Sequence, residues 1–168
     1  QLRWYDNKPL FGKTIVVTRA RSQASALTKQ LEAEGAKVIE APSIKIVPPE
    51  TYAPLDEAIK NIHTYKWLVL TSANGVKAFF ARLGHAGLDA RALAGVKIAA
   101  IGCGTAKALQ SCGVKADLVP CTYKAEELAE ALAPQLEKGD KVLIPRAKEA
   151  REVLPETLRR LGAEADVI

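Results

Sequence analysis

Two periodicities alternate along this chain. Short apolar runs end in small or polar loops, and apolar positions three and four residues apart follow. Such runs fit buried strands, and such spacings fit amphipathic helices. The first unit is Thr14–Val17, the loop Thr18–Ser22, and a helix carrying Ala24, Leu27, Leu31 and Ala33. Gly35 is its natural stop, and Lys37–Glu40 is the next strand. The second is Trp67–Leu70, the loop Thr71–Gly75, and a helix with Val76, Phe79, Phe80 and Leu83. The third is Val96–Ile101, the loop Gly102–Thr105, and a helix with Ala106, Leu109 and Cys112 before Gly113. A fourth helix, Ala125–Leu136, has Leu128, Ala131 and Leu132 on one stripe. The last unit is Lys141–Ile144, the loop Pro145–Lys148, and a helix with Val153, Leu154, Leu158 and Leu161 before Gly162. This order predicts βαβ units and a mostly parallel α/β sheet with flanking helices. The segment Ala41–Pro49 is β-branched and bracketed by prolines, which predicts an extended connector.

The first and last units align at an offset of 127 residues, Arg19-Ala20 on Arg146-Ala147. Leu27 then falls on Leu154, Leu31 on Leu158, and Gly35 on Gly162. Two explanations fit: the spacing common to any two amphipathic βα units, or a repeated lobe.

Composition narrows the function classes. With 48% hydrophobic and 26% charged residues in 168, the chain is globular in character. Its apolar runs are strand-sized, far below the ~20 residues of a membrane span, so no membrane association is expected. The first ten residues lack an apolar signal core, which makes the cytoplasm the expected compartment. No methionine occurs; a longer parent and a processed N-terminus both fit a chain beginning Gln1-Leu2-Arg3. The net charge of +5 is scattered among glutamates with no basic block, so nucleic acid is not an expected partner. A small anionic partner is the more economical reading. Cys103, Cys112 and Cys121 form no CxxC pair, and His63 and His85 are remote from them, so metal is not expected.

Candidate chemistry gathers in the strand-to-helix loops, which share one edge of a parallel sheet. They offer helix N-termini, hydroxyls and the cations Arg19, Arg21, Arg146 and Lys148, a set suited to carboxylate or phosphate groups. Thr71-Ser72 also reads as a helix N-cap, and the arginines also read as solvated surface residues. Gly102-x-Gly104 is reminiscent of a dinucleotide loop, but Lys107 stands where the third glycine belongs, so no nicotinamide or flavin is expected. No nucleophile elbow and no carboxylate pair stands at this edge.

The ordered motifs carry a resemblance. Lys13–Ala20, Gln23-Ala24-Ser25, Leu31–Ala36, Ala41–Ile44, Leu70–Val76, Ile101–Ala106, Ala125–Leu128 and Ile144–Ala147 through Leu154-Pro155 resemble, in order, segments of the bacterial uroporphyrinogen-III synthases. Leu2–Gly12 is similar to the junction of fusions in which a uroporphyrinogen-III methyltransferase precedes the synthase. The resemblance implies a two-lobed α/β fold with flavodoxin-like parallel sheets, the second lobe complete and the first partial. Residues 1–12 would be a linker, 13–41 the first βαβ part of lobe one, and 42–49 an inter-lobe connector. Residues 50–165 would form lobe two, and 166–168 would begin a returning connector strand. The implied reaction is cyclisation of hydroxymethylbilane, a linear tetrapyrrole with eight carboxylates, to uroporphyrinogen III, without a cofactor. The last pyrrole ring is inverted through a spiro intermediate, and water is lost. Because the substrate is already reactive, the task is proximity and conformational control. The implied substrate-binding residues are Thr71, Ser72, Ala73, Asn74 and Gly75, then Gly102, Cys103, Gly104 and Thr105, with Arg19 and Arg146 as weaker candidates. No catalytic residue is assigned; a tyrosine noted in the family falls just past Ile168. The 168 residues alone are expected to have little activity, as a monomer or a dimer that swaps its first βαβ unit. A non-catalytic flavodoxin-like module binding an anionic ligand is the alternative.

Overall fold

A computed structural model describes residues 7–19 and 21–168, with backbone only at 21–25. The chain divides into two compact units, Gln1–Glu50 and Thr51–Ile168. The expected 1–6 part of the linker and Ala20 lie outside the described residues.

In the first unit, β1 (Thr14–Val17) and β2 (Lys37–Glu40) pair in parallel, Thr14 opposite Lys37 through Val17 opposite Glu40. Helix α1 (Arg21–Ala33) connects them. Gly35 turns the chain out of α1 at φ +91°, and a Cβ there would lie 2.9 Å from the Lys8 Cβ. Backbone and packing therefore both demand glycine. Residues 41–49 form no strand: Ala41 N–H donates to the Val17 carbonyl, and the Ser43 N–H and hydroxyl donate to that of Thr18.

The second unit is a four-stranded parallel sheet in the order β4-β3-β5-β6. Its strands are β3 (Trp67–Leu70), β4 (Lys97–Ala100), β5 (Lys141–Ile144) and β6 (Glu164–Val167). Beyond β4, Leu118 makes a single parallel bridge to Ala99. Asp166 and Val167 complete β6, in register with Leu143 and Ile144. Five helices flank the sheet: α2 (Ala53–Lys60), α3 (Ala73–His85), α4 (Cys103–Ser111), α5 (Ala125–Leu132) and α6 (Val153–Arg160). The period-two rule of strands sorts the core into two layers. Leu68 and Leu70 pack with Ile59, Phe79 and Leu109, while Trp67 and Val69 pack with Leu128, Leu132 and Leu158. All four β3 residues are fully buried, as a central parallel strand requires. A fork of Arg82 on Asp56, at 2.8 and 2.6 Å, ties α3 to α2. That bond holds the Asp56 carboxyl below its ordinary range.

The repeat at an offset of 127 extends to the backbone. Strands β1 and β2 map onto β5 and β6 without a shift. Gly35 and Gly162 share φ values of +91° and +92°. Hydrogen bonds recur as well: Lys37 to Lys13 at 2.8 Å matches Glu164 to Asp140 at 2.9 Å, and Ala36 to Leu31 at 3.0 Å matches Ala163 to Leu158 at 3.1 Å. Ala41 to Val17 at 2.9 Å likewise matches Ile168 to Ile144 at 3.2 Å. Lys97 to Lys66 and Ile101 to Leu70, both at 3.0 Å, repeat the same pattern across β3 and β4, so these bonds are common to the βαβ units of this chain rather than particular to this pair.

Four boundaries differ from expectation. Strand β4 is shorter than 96–101, because Val96 N–H closes a turn onto the Leu93 carbonyl. The fourth helix stops as an α-helix at Leu132 and continues as a 3-10 turn, Ala133–Gln135. Pro134 is the cause, since it has no N–H for the helical ladder. Helix α3 runs on to His85, two residues past Leu83, the last apolar position of the predicted stripe, and Arg82 approaches the His85 ring at 3.3 Å. Leu161 falls just past the end of α6 and is 43% exposed rather than part of the apolar stripe.

Candidate functional site

In order of appearance, the strands of the second unit lie 2-1-3-4, so the winding reverses between β3 and β5. Ligand sites of open parallel sheets form at the carboxyl ends of strands at such a reversal. A cleft of about 700 Å³ lies there. Thr71 after β3, Ile101 after β4, Ile144 and Arg146 at the end of β5, and Leu154 of α6 line it. Tyr123, from the segment before α5, also lines it.

Each predicted loop has a local logic. Ser72 caps α3: its Oγ accepts from the Gly75 N–H at 3.0 Å. The Ser72 side chain is thus committed to the helix, while Thr71 faces the cleft. Ala73, Asn74 and Gly75 form the first turn of α3. A Cβ at Gly75 would lie 3.5 Å from the Pro145 carbonyl, so α3 starts close against the loop after β5.

Gly102 is the N-cap of α4 and has extended backbone that any residue adopts. It is glycine for another reason: a Cβ would collide with the ring of Tyr123. The Tyr123 hydroxyl lies 2.9 Å from Cys103 Sγ, and that hydrogen bond pushes the hydroxyl's pKa up. Gly104 faces open space, and Thr105 is buried.

Among the predicted cations whose side chains are described, Arg146 is the most enclosed. Its side chain is 8% exposed, donates to the Arg151 carbonyl at 2.7 Å and pairs with Glu152. Arg19 is exposed at the end of β1 in the first unit. Cleft and loops thus bring together Thr71, Arg146 and, through Tyr123, Gly102 and Cys103. Sequence reasoning missed Tyr123, Glu152 and the acidic face of α5, from which Glu126, Glu127 and Glu130 also line the cleft. An aromatic just before a helix and a carboxylate six residues after a strand-end arginine were the available signals.

Fold and cleft together define a doubly wound α/β unit with a cleft at the strand edge. The family described as uroporphyrinogen-III synthase HemD matches residues 25–168. A porphyrin biosynthesis protein HemD of Ruminiclostridium josui is 40% identical over 163 residues, covering 97% of this chain and 32% of that protein. A uroporphyrinogen-III synthase of Synechococcus elongatus is 43% identical over 157 residues, covering 93% of this chain and 59% of that one. Among solved structures, a mutant uroporphyrinogen III synthase of Thermus thermophilus shares the fold with a TM-score of 0.65 at 19% identity. It is covered over 61% of its length, against 94% of this chain. This chain belongs to the uroporphyrinogen-III synthase HemD family. It spans a third to three-fifths of those two relatives.

Proposed function

We propose that this chain is part of a uroporphyrinogen-III synthase, a hydro-lyase that closes hydroxymethylbilane to uroporphyrinogen III with inversion of the last pyrrole ring. The family match over residues 25–168 carries the reading. The strand-edge cleft supports it by offering places for carboxylates: Arg146, the Thr71 hydroxyl, and the starts of α3 and α4. The remaining predicted loop residues, Ser72 through Gly75 and Gly102 through Thr105, shape those helix starts, and Arg19 would serve from the first unit. Loss of the terminal hydroxyl leaves a reactive azafulvene, so the protein's part is to hold the chain's ends for closure.

A methyltransferase fused ahead of residue 13 belongs to the same reading. The resemblance of Leu2–Gly12 to such a junction supports it, as does the 32% share of the longer Ruminiclostridium relative. The protein would act in the cytoplasm; no described helix is long and apolar enough to cross a membrane.

The test is to incubate hydroxymethylbilane with the protein at the length of its relatives and separate the isomers. Isomer III is expected, and isomer I alone overturns the reading. For the 168 residues alone, tetrapyrrole binding with little isomer III is expected.

A further inference from the structure

Arg146 and Glu152 form an asymmetric ion pair. The arginine side chain is 8% exposed and the glutamate 55%. A guanidinium so enclosed needs its donors matched, because a buried unpaired charge is costly. The Arg151 carbonyl accepts from its Nη1 and Glu152 from its Nη2. Glu152 has no comparable need, since water can solvate it. It stands at the N-cap position of α6, yet its side chain makes no capping bond there. The arginine requires a carboxylate, but the carboxylate does not require the arginine.

We propose that Glu152 competes with a ligand carboxylate for Arg146, so that a ligand entering the cleft displaces Glu152 and the loop 145–152 shifts with it. The inference rests on the reading of this chain as a binder of a polycarboxylate tetrapyrrole. Charge balance favours exchange over simple attraction. Lys124, Arg146 and Arg151 line the cleft together with Glu126, Glu127 and Glu130, so the lining has no net positive charge to draw in an anion. Exchange replaces one carboxylate by another at the same guanidinium and leaves no buried charge unpaired. The displaced Glu152 stays at the start of α6, where the helix dipole favours negative charge.

The experiment is a fluorescence titration of this chain with uroporphyrin III, the oxidised, eight-carboxylate form of the macrocycle. Glu152→Gln removes the competitor and should tighten binding about three- to tenfold, the range expected when a half-exposed ion pair no longer has to open. Glu152→Ser, which also removes the carboxylate, should do the same. Arg146→Gln should weaken binding and abolish the gain from Glu152→Gln. If Arg146→Gln does not fold, Arg146→Lys supplies that arm, keeping the charge without the fork and reducing the gain. Unchanged or weaker binding by both Glu152 variants, with a binding wild type, overturns the inference and leaves the functional reading standing. Failure of the wild type to bind the porphyrin overturns both. Loss of folding in Glu152→Gln, seen by circular dichroism, makes Glu152 a structural partner and also overturns the inference.

Discussion

Tyr65 offers a sharp test of how the sheet of the second unit is closed. The side chain is buried, and its hydroxyl donates to Asp166 Oδ2 at 2.7 Å. Asp166 lies in β6, which pairs only with β5 among the described strands, so the bond pins an edge strand to the turn before β3. Tyr65→Phe removes it while keeping the ring. A hydrogen bond to a charged acceptor contributes ~1.5–3 kcal/mol, and partial solvent access here reduces that to about 1–2 kcal/mol. Burial and the Asp166 bond both push the Tyr65 pKa well above its ordinary value. The unfolded tyrosine titrates near ~10, so the native state holds a proton that the unfolded chain loses above that pH. This contribution is complete below ~10 and is lost as pH climbs toward the raised native value, at about 1.4 kcal/mol per unit. The gap between wild type and Tyr65→Phe should thus be about 1–2 kcal/mol at pH 7 and nearly vanish by about pH 11. Urea denaturation read by the buried Trp67 should show a midpoint difference of about 0.5–1 M at pH 7. Equal midpoints at pH 7, or a gap that persists undiminished at pH 11, would refute the reasoning.

Two further outcomes follow from packing. Gly102→Ala forces the Tyr123 ring off Cys103 and should cost about 1 kcal/mol, and the cost should disappear in a Tyr123→Ala background; chemical denaturation of the four proteins measures this coupling. Leu158→Ala, fully buried between α6 and the sheet, should cost about 2–5 kcal/mol, whereas Leu161→Ala, largely outside the core, should stay within ~0.5 kcal/mol; their melting curves separate the two.

Much of the fold was legible because strand and helix periods are local. Thr14–Val17, Lys37–Glu40, Trp67–Leu70 and Lys141–Ile144 were read with their observed limits, since each holds a short run of β-branched or aliphatic residues. Leu161 was misread because helical spacing continues on paper past the residue where Gly162 turns the chain away. The site was legible as a set of loops but not as a set of contacts. Arg146 stands in a strand-end loop by sequence, while its enclosure by Glu152 and the Arg151 carbonyl depends on how residues 145–152 fold back. The local signal of Tyr123, an aromatic just before a helix, does not place it: its position over Gly102 is set across twenty-one residues by the packing of α4 and α5 on opposite faces of the sheet.

The same features bear on what kind of recognition this cleft can perform. The chain carries a net charge of +5, yet three carboxylates face three cations in the cleft itself. A site that relied on bulk attraction would concentrate its positive charge where the ligand enters. Here Arg146 is instead fixed in place, neutralised by Glu152 and bonded to a backbone carbonyl. Placed donors discriminate among the arrangements of a flexible polyanion, whereas a diffuse field would hold them all. For the proposed reaction, in which the order of groups around the product ring is the outcome, selective holding of one arrangement is the property the protein has to supply.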